Sequence, residues 1–144
     1  MTEAPARSRR EVAVAAALVL VPLAITVVVL AFRHWYPTGD LAQAELRLRS
    51  FPSHPPLVGA AGRIVSDAGV QGNHPGPAFF WAAYPFYLVL GRSAWASEAA
   101  VAILGAAWVT TALWLVRRVA GTAVMAGVAV TFAVLLGGYG LDAG

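Results

Sequence analysis

From Val12 to Phe32 the chain carries no charged side chain. A helix rises about 1.5 Å per residue, so this run is about 32 Å long, enough to cross a hydrocarbon core of about 30 Å. Pro22 lies within it, and a membrane helix tolerates an internal proline better than a soluble one. A cleaved signal peptide fits poorly, because the run exceeds the roughly 7–15 residues of a signal core. Arg33, His34 and Trp35 also stand where a small-residue cleavage site would follow. A second uncharged run covers Ala99–Val116, and a third covers Val119–Leu141 with only glycine, threonine and Tyr139 to interrupt it. Charged residues make up 12% of the chain and hydrophobic ones 59%, against about 25% and 45–50% in soluble domains. The expected fold class is therefore all-α, a polytopic membrane protein with three transmembrane helices. Its first loop is long, extracytoplasmic and expected to contain surface-lying helices.

The arginines orient this arrangement. Arg7, Arg9 and Arg10 precede the first run, and Arg117 with Arg118 joins the other two. Positive residues are retained on the cytoplasmic side. Both clusters lie inside if the chain leaves through the first span and returns through the second. The expected order is a basic tail at 1–11, spans at 12–32, 98–116 and 119–141, and a cytoplasmic turn at 117–118. Residues 33–97 and 142–144 are then extracytoplasmic, in a multi-pass protein of the plasma membrane with a cytoplasmic N-terminus. Segment 77–90 (PAFFWAAYPFYLVL) is short, contains Pro85 and is rich in aromatic rings. Such a segment suits the membrane interface; the alternative is a short fourth span.

Several classes are excluded or weakened. No cysteine is present, so disulfides and thiolate chemistry are absent. All ten basic residues are arginine, scattered between apolar runs without a basic stripe, so the net charge of +3 does not indicate nucleic acid. The three histidines are far apart and form no metal-binding pair. No acid lies within the three uncharged runs, which weakens an ion-coupled transporter.

Chemistry therefore concentrates in the loop, which holds all three histidines, five arginines and the acids Asp40, Glu45 and Asp67. Asp40 follows Pro37 and Gly39 and opens a short amphipathic helix over 40–49. Leu41, Ala44 and Leu48 are expected on its apolar face, and Glu45, Arg47 and Arg49 mostly off it. Asp40 then serves either as an N-cap with Gln43 as its capping-box partner, or as a carboxylate held just above the bilayer. His74 sits in the turn Gln71-Gly72-Asn73-His74-Pro75-Gly76-Pro77, where it either caps the next helix or supports a site. Arg47, Arg49, Arg63 and Arg92 are candidates for holding a phosphate, with lipid headgroup contact as the plainer alternative.

The order of these features resembles the N-terminal part of polytopic glycosyltransferases of the C superfamily, such as protein O-mannosyltransferases and lipid A aminoarabinose transferases. The matching pieces are Gly39-Asp40, Asn73-His74-Pro75-Gly76-Pro77, Gly91-Arg92-Ser93 and Ala99 to Arg118. GDLAQAELRLRSFPSHPPLVG with NHPGPAFFW is similar to actinobacterial integral membrane proteins of this kind. The resemblance implies a polyprenyl-phosphate sugar as donor, Asp40 as the first-loop catalytic carboxylate and His74 in a supporting role. Two features depart from it. Asp40 is followed by Leu41 where some families carry a second acid, and the family's members have many more spans. The chain is thus expected to be a fragment or truncated member, inactive alone. The alternative is a small non-catalytic membrane protein acting as an assembly partner. The implied partners are the lipid bilayer, a lipid-linked sugar and another membrane protein. A divalent metal is compatible with such chemistry, but no residue pattern indicates one.

Overall fold

The computed structural model describes residues 3–33, 35–59, 61–65, 71–73 and 76–141. Its elements are α1 (Glu3–Phe32), α2 (Gly39–Ser50), β1 (Ala61–Val65), β2 (Gln71–Asn73), α3 (Pro77–Val89) and α4 (Ala94–Leu141). The chain divides into two compact units, one of residues 1–32 and 102–144 and the other of residues 33–101.

In the first unit, α1 runs for 30 residues and continues through Pro22. Thr26 donates its hydroxyl to the Pro22 carbonyl at 3.0 Å. Thr111 and Thr131 likewise bond back to the carbonyls of Ala107 and Gly127. Each hydroxyl is thus satisfied within its own helix, as an apolar surrounding demands. Two stretches, Arg7–Phe32 and Ala94–Gly137, are long and apolar enough to cross a membrane. Neither is a buried core helix, since large side chains such as Leu18, Ile25, Trp108 and Val134 stand exposed along both.

The 48 residues of α4 are not one straight rod. Gly121 adopts φ 86° and ψ −177°, a region open essentially to glycine alone. Residues on both sides of this break pack on the same part of α1. Leu113 before it and Met125 after it are buried in one cluster with Val12 and Ala16. Val109 and Phe132, which a straight helix would hold about 34 Å apart, join the same cluster. The two arms therefore fold back beside each other. As α1 proceeds from Glu11 to Leu23, its neighbours on the first arm recede from Arg117 to Gly105, whose Cα faces Leu23. The break falls at Gly121 rather than at the expected turn 117–118, and both arginines are helical. Paired arginines mark a polar end, but only glycine accepts the backbone angles of the reversal.

Glu11 ties α1 to this apex. One carboxylate oxygen accepts hydrogen bonds from Arg117 Nε at 2.8 Å and Thr122 Oγ1 at 3.2 Å, and the other from Arg7 Nε at 3.2 Å. The bond from Arg117 holds the carboxyl below the ordinary glutamate range, burial works against it, and Thr122 and Arg7 add to the lowering. A depressed carboxyl contributes stability that is full above the unfolded value, about 4.3, and is lost as pH falls through the folded value. The distance between spin labels at Val14→Cys and Val124→Cys should therefore hold from neutral pH to about pH 4 and broaden below it. Glu11→Gln should remove that pH dependence.

In the second unit, α2 ends at the Phe51 C-cap and α3 begins at Pro77 behind a Gly76 N-cap. Proline suits the first helical position, because its missing N–H would have no partner there. At 13 residues, α3 is about 20 Å long, shorter than a hydrocarbon core. Between the helices, β1 and β2 pair antiparallel, Ala61 opposite Asn73 and Val65 opposite Gln71, with an irregularity in register. This hairpin adds two short strands to a fold that is otherwise helical.

Candidate functional site

A candidate site lies where α2 packs on α3, around the ion pair of Glu45 and Arg49. Phe80, Ala83 and Tyr87 form the buried stripe of α3, and Glu45 and Leu48 that of α2. The expected apolar face of α2 is corrected here: Leu41 is half exposed, whereas Glu45 is only 6% exposed. Its burial is tolerated because Arg49, one turn on, reaches back to Glu45 Oε1 at 2.7 Å. This is the favourable i, i+4 order of acid before base on a helix. The bond from Glu45 raises the Arg49 guanidinium further above its ordinary range.

Tyr87 stands beside this pair. Its hydroxyl is buried and makes no hydrogen bond of good geometry among the described residues, although the Arg49 guanidinium is close enough to act on it. Burial pushes the phenol up and the Glu45 charge adds to this, while Arg49 and Arg92 pull it down. The tyrosine oxygen thus lies in the field of two guanidinium groups and one carboxylate. On the outer side, Phe51 stacks on Tyr84 at 4.1 Å between ring centroids and meets Trp81 edge-on at 4.8 Å. Trp81 Nε1 donates to the Pro56 carbonyl at 3.1 Å, which holds the proline-rich stretch against α3.

Arg92 is placed by the end of α3. The Gly91 N–H bonds to the Leu88 carbonyl and the Arg92 N–H to the Tyr87 carbonyl, the paired pattern of a Schellman cap. Gly91 takes φ 95° there, and Arg92 follows at φ 56°. A non-glycine residue at positive φ is uncommon, and it turns the chain abruptly toward α4. Ser93 then caps α4, its Oγ accepting the Ala96 N–H at 3.2 Å.

The other anticipated residues are distributed differently. Asp40 is exposed in the first turn of α2, and the N-cap is Thr38, which makes no side-chain capping bond. Gly39 opens that helix at φ 56°, so the boundary falls ahead of the acid. Arg47 is half-buried on α2. Arg63 belongs to β1 by its backbone, and its side chain, like His74, lies outside the described residues. Of the four arginines, Arg49 on α2 and Arg92 in the exposed turn after α3 both act electrostatically on Tyr87. Among the described residues no three His, Asp or Glu side chains converge as a metal site requires.

No protein-family model, curated protein or solved structure matches the chain.

Two participants, Glu45 and Tyr87, were not anticipated. The spacing of Glu45 and Arg49 is visible in the sequence, but which side of α2 is buried depends on α3, far along the chain. The Tyr87 hydroxyl supplies a direct check on the site. An unpaired buried polar group costs about 1–3 kcal/mol. Tyr87→Phe should leave stability unchanged or raise it by about 1 kcal/mol, measured as the midpoint of thermal unfolding in detergent. Arg49→Ala, which strands the buried carboxylate, should lower it by about 1–3 kcal/mol, between the values for exposed and buried pairs.

Proposed function

We propose that the chain is an integral membrane protein that crosses the bilayer three times, with its N-terminus cytoplasmic and residues 33–97 outside. The extracytoplasmic unit supplies the first-loop part of a membrane glycosyltransferase that uses a polyprenyl-phosphate sugar, and this chain alone is inactive. The observation that carries the reading is the position of Asp40, exposed in the first turn of α2 and joined to α1 by a short tether. In this reading the carboxylate lies near the membrane surface, where a lipid-linked donor presents its sugar. Arg49 and Arg92, whose charges both reach Tyr87, are the side chains suited to the donor phosphate, because forked guanidinium groups match phosphate oxygens.

A photoactivatable polyprenyl phosphate, offered to the chain in nanodiscs, tests this. Crosslinks are expected within 39–50 and 77–92. Arg49→Ala with Arg92→Ala should weaken retention about tenfold or more, the equivalent of one lost charge-assisted hydrogen bond. Asp40→Asn should leave retention intact, since its role is toward the acceptor. Equal retention by wild type and the double variant would favour the second reading, a non-catalytic assembly partner. That reading draws on the exposed apolar flanks of α1 and α4.

A further inference from the structure

The first unit contains a groove of about 690 Å3 between α1 and the second arm of α4. Its walls are Val14, Leu18 and Val19 on one side and Met125, Ala129 and Ala133 on the other. At one end stand Arg7, Arg10, Glu11 and Thr122. The volume falls within the range of about 300–1,000 Å3 typical of small-molecule sites. The alanines are what keep it open. Leu18, at 69%, and Val130, at 64%, stand exposed along its rim, so it opens sideways.

Charge and depth are matched along this groove. Glu11 is already engaged by Arg117, Thr122 and Arg7, so its charge is compensated. Arg10 is exposed and has no acidic partner among the described residues. The polar end therefore carries a net positive charge. From Thr122 to Ala133 the apolar wall rises about 16 Å, close to half of a hydrocarbon core of about 30 Å. A slot one leaflet deep, apolar along its length and cationic at its surface end, has the shape and polarity of a single lipid.

We infer that this groove holds an anionic phospholipid, with an acyl chain along Val14, Leu18 and Ala129 and its phosphate at Arg10 and Arg7. The site is separate from Asp40, Arg49 and Arg92, and it rests only on the membrane part of the preceding reading. Anionic lipids are attracted to basic residues at the cytoplasmic surface, and the arginine fork provides paired donors to phosphate oxygens. The small residues that shape the slot would also admit a helix from a second copy. A helix, however, has no use for two cations at the end of an apolar wall, whereas a charged lipid headgroup does.

Native mass spectrometry of the detergent-purified chain, titrated with dioleoylphosphatidylglycerol or dioleoylphosphatidylcholine, decides the matter. The wild type should retain one molecule of the anionic lipid in preference to the zwitterionic one. Arg10→Gln should reduce that preference about tenfold. Ala129→Leu, which fills the slot while helicity by circular dichroism is maintained, should reduce retention of both lipids. Equal retention of the two lipids, or anionic retention indifferent to Ala129→Leu, would overturn the inference. So would a dimer that Ala129→Leu dissolves, since the occupant would then be a second copy. Recovery of the chain in the carbonate-resistant membrane fraction reports separately on insertion, so failure of the membrane reading is distinguishable from failure of the lipid site. The photocrosslinking of polyprenyl phosphate near Arg49 and Arg92 is independent of both.

Discussion

Replacing Gly121 by valine is expected to drive apart spin labels placed at Trp108→Cys and Val134→Cys. Both positions are exposed, at 75% and 68%, and the chain has no cysteine to compete for the label. In the wild type the arms fold back at Gly121, so the labels should report a short separation. Valine at φ 86° and ψ −177° would cost on the order of 1–3 kcal/mol in local strain. The arms can relieve it by returning to regular helix through residue 121. A fully straightened helix would hold the two sites about 39 Å apart. A shift of population toward that distance is the expected outcome. An unchanged short distance in Gly121→Val would mean that packing against Val12 and Ala16 alone enforces the reversal.

The second large effect is all-or-none. Ser53→Cys, in the second unit, should react with a membrane-impermeant maleimide applied to intact cells. Val119→Cys, next to the apex and 86% exposed, should react only after permeabilisation. In the proposed orientation Arg7, Arg9 and Arg10 at one end of α1 and Arg117 with Arg118 near the apex share one side, the cytoplasmic one that basic residues favour. Labelling of both cysteines from outside would remove the three-crossing proposal. The reverse pattern would keep the crossings and invert the orientation.

Much of the first unit is legible in the sequence. Uncharged runs at 12–32, 99–116 and 119–141 record a demand of composition, which does not depend on distant contacts. The reversal at Gly121 was only approximately legible: Arg117 and Arg118 mark a polar end, but backbone angles choose among nearby residues. The Glu11 knot was invisible, because its partners Arg117 and Thr122 are remote in sequence and a glutamate beside a basic tail looks like ordinary surface. In the second unit, α2 could be read from spacing, but its buried face could not. Helical periodicity placed Leu41 inside and Glu45 outside, and contact with α3 decided otherwise. The strands at Ala61–Val65 and Gln71–Asn73 are short and do not alternate apolar with polar residues, Ile64 standing next to Val65, so the pattern that betrays a strand is missing. Arg49 and Arg92 could be singled out as cations, but that both charges bear on Tyr87 depends on the sharp turn at Gly91 and Arg92. Asp40 was recognisable as a residue opening a helix, yet the positive φ of Gly39 moved the boundary ahead of it.

In the proposed membrane arrangement, the apex at Gly121 also works as a depth gauge for the first unit. A glycine in that conformation interrupts the regular ladder, and helix ends leave carbonyl and amide groups that seek water or polar side chains. Arg117, Thr122 and Glu11 gather at the same level. Sinking this ring into hydrocarbon would bring charges and unmatched peptide groups with it, and lifting it out would wet the cluster around Met125 and Leu113. In the proposed three-crossing arrangement, a bilayer that thins or thickens would therefore be accommodated at the opposite ends of these helices, toward Phe32 and Gly137.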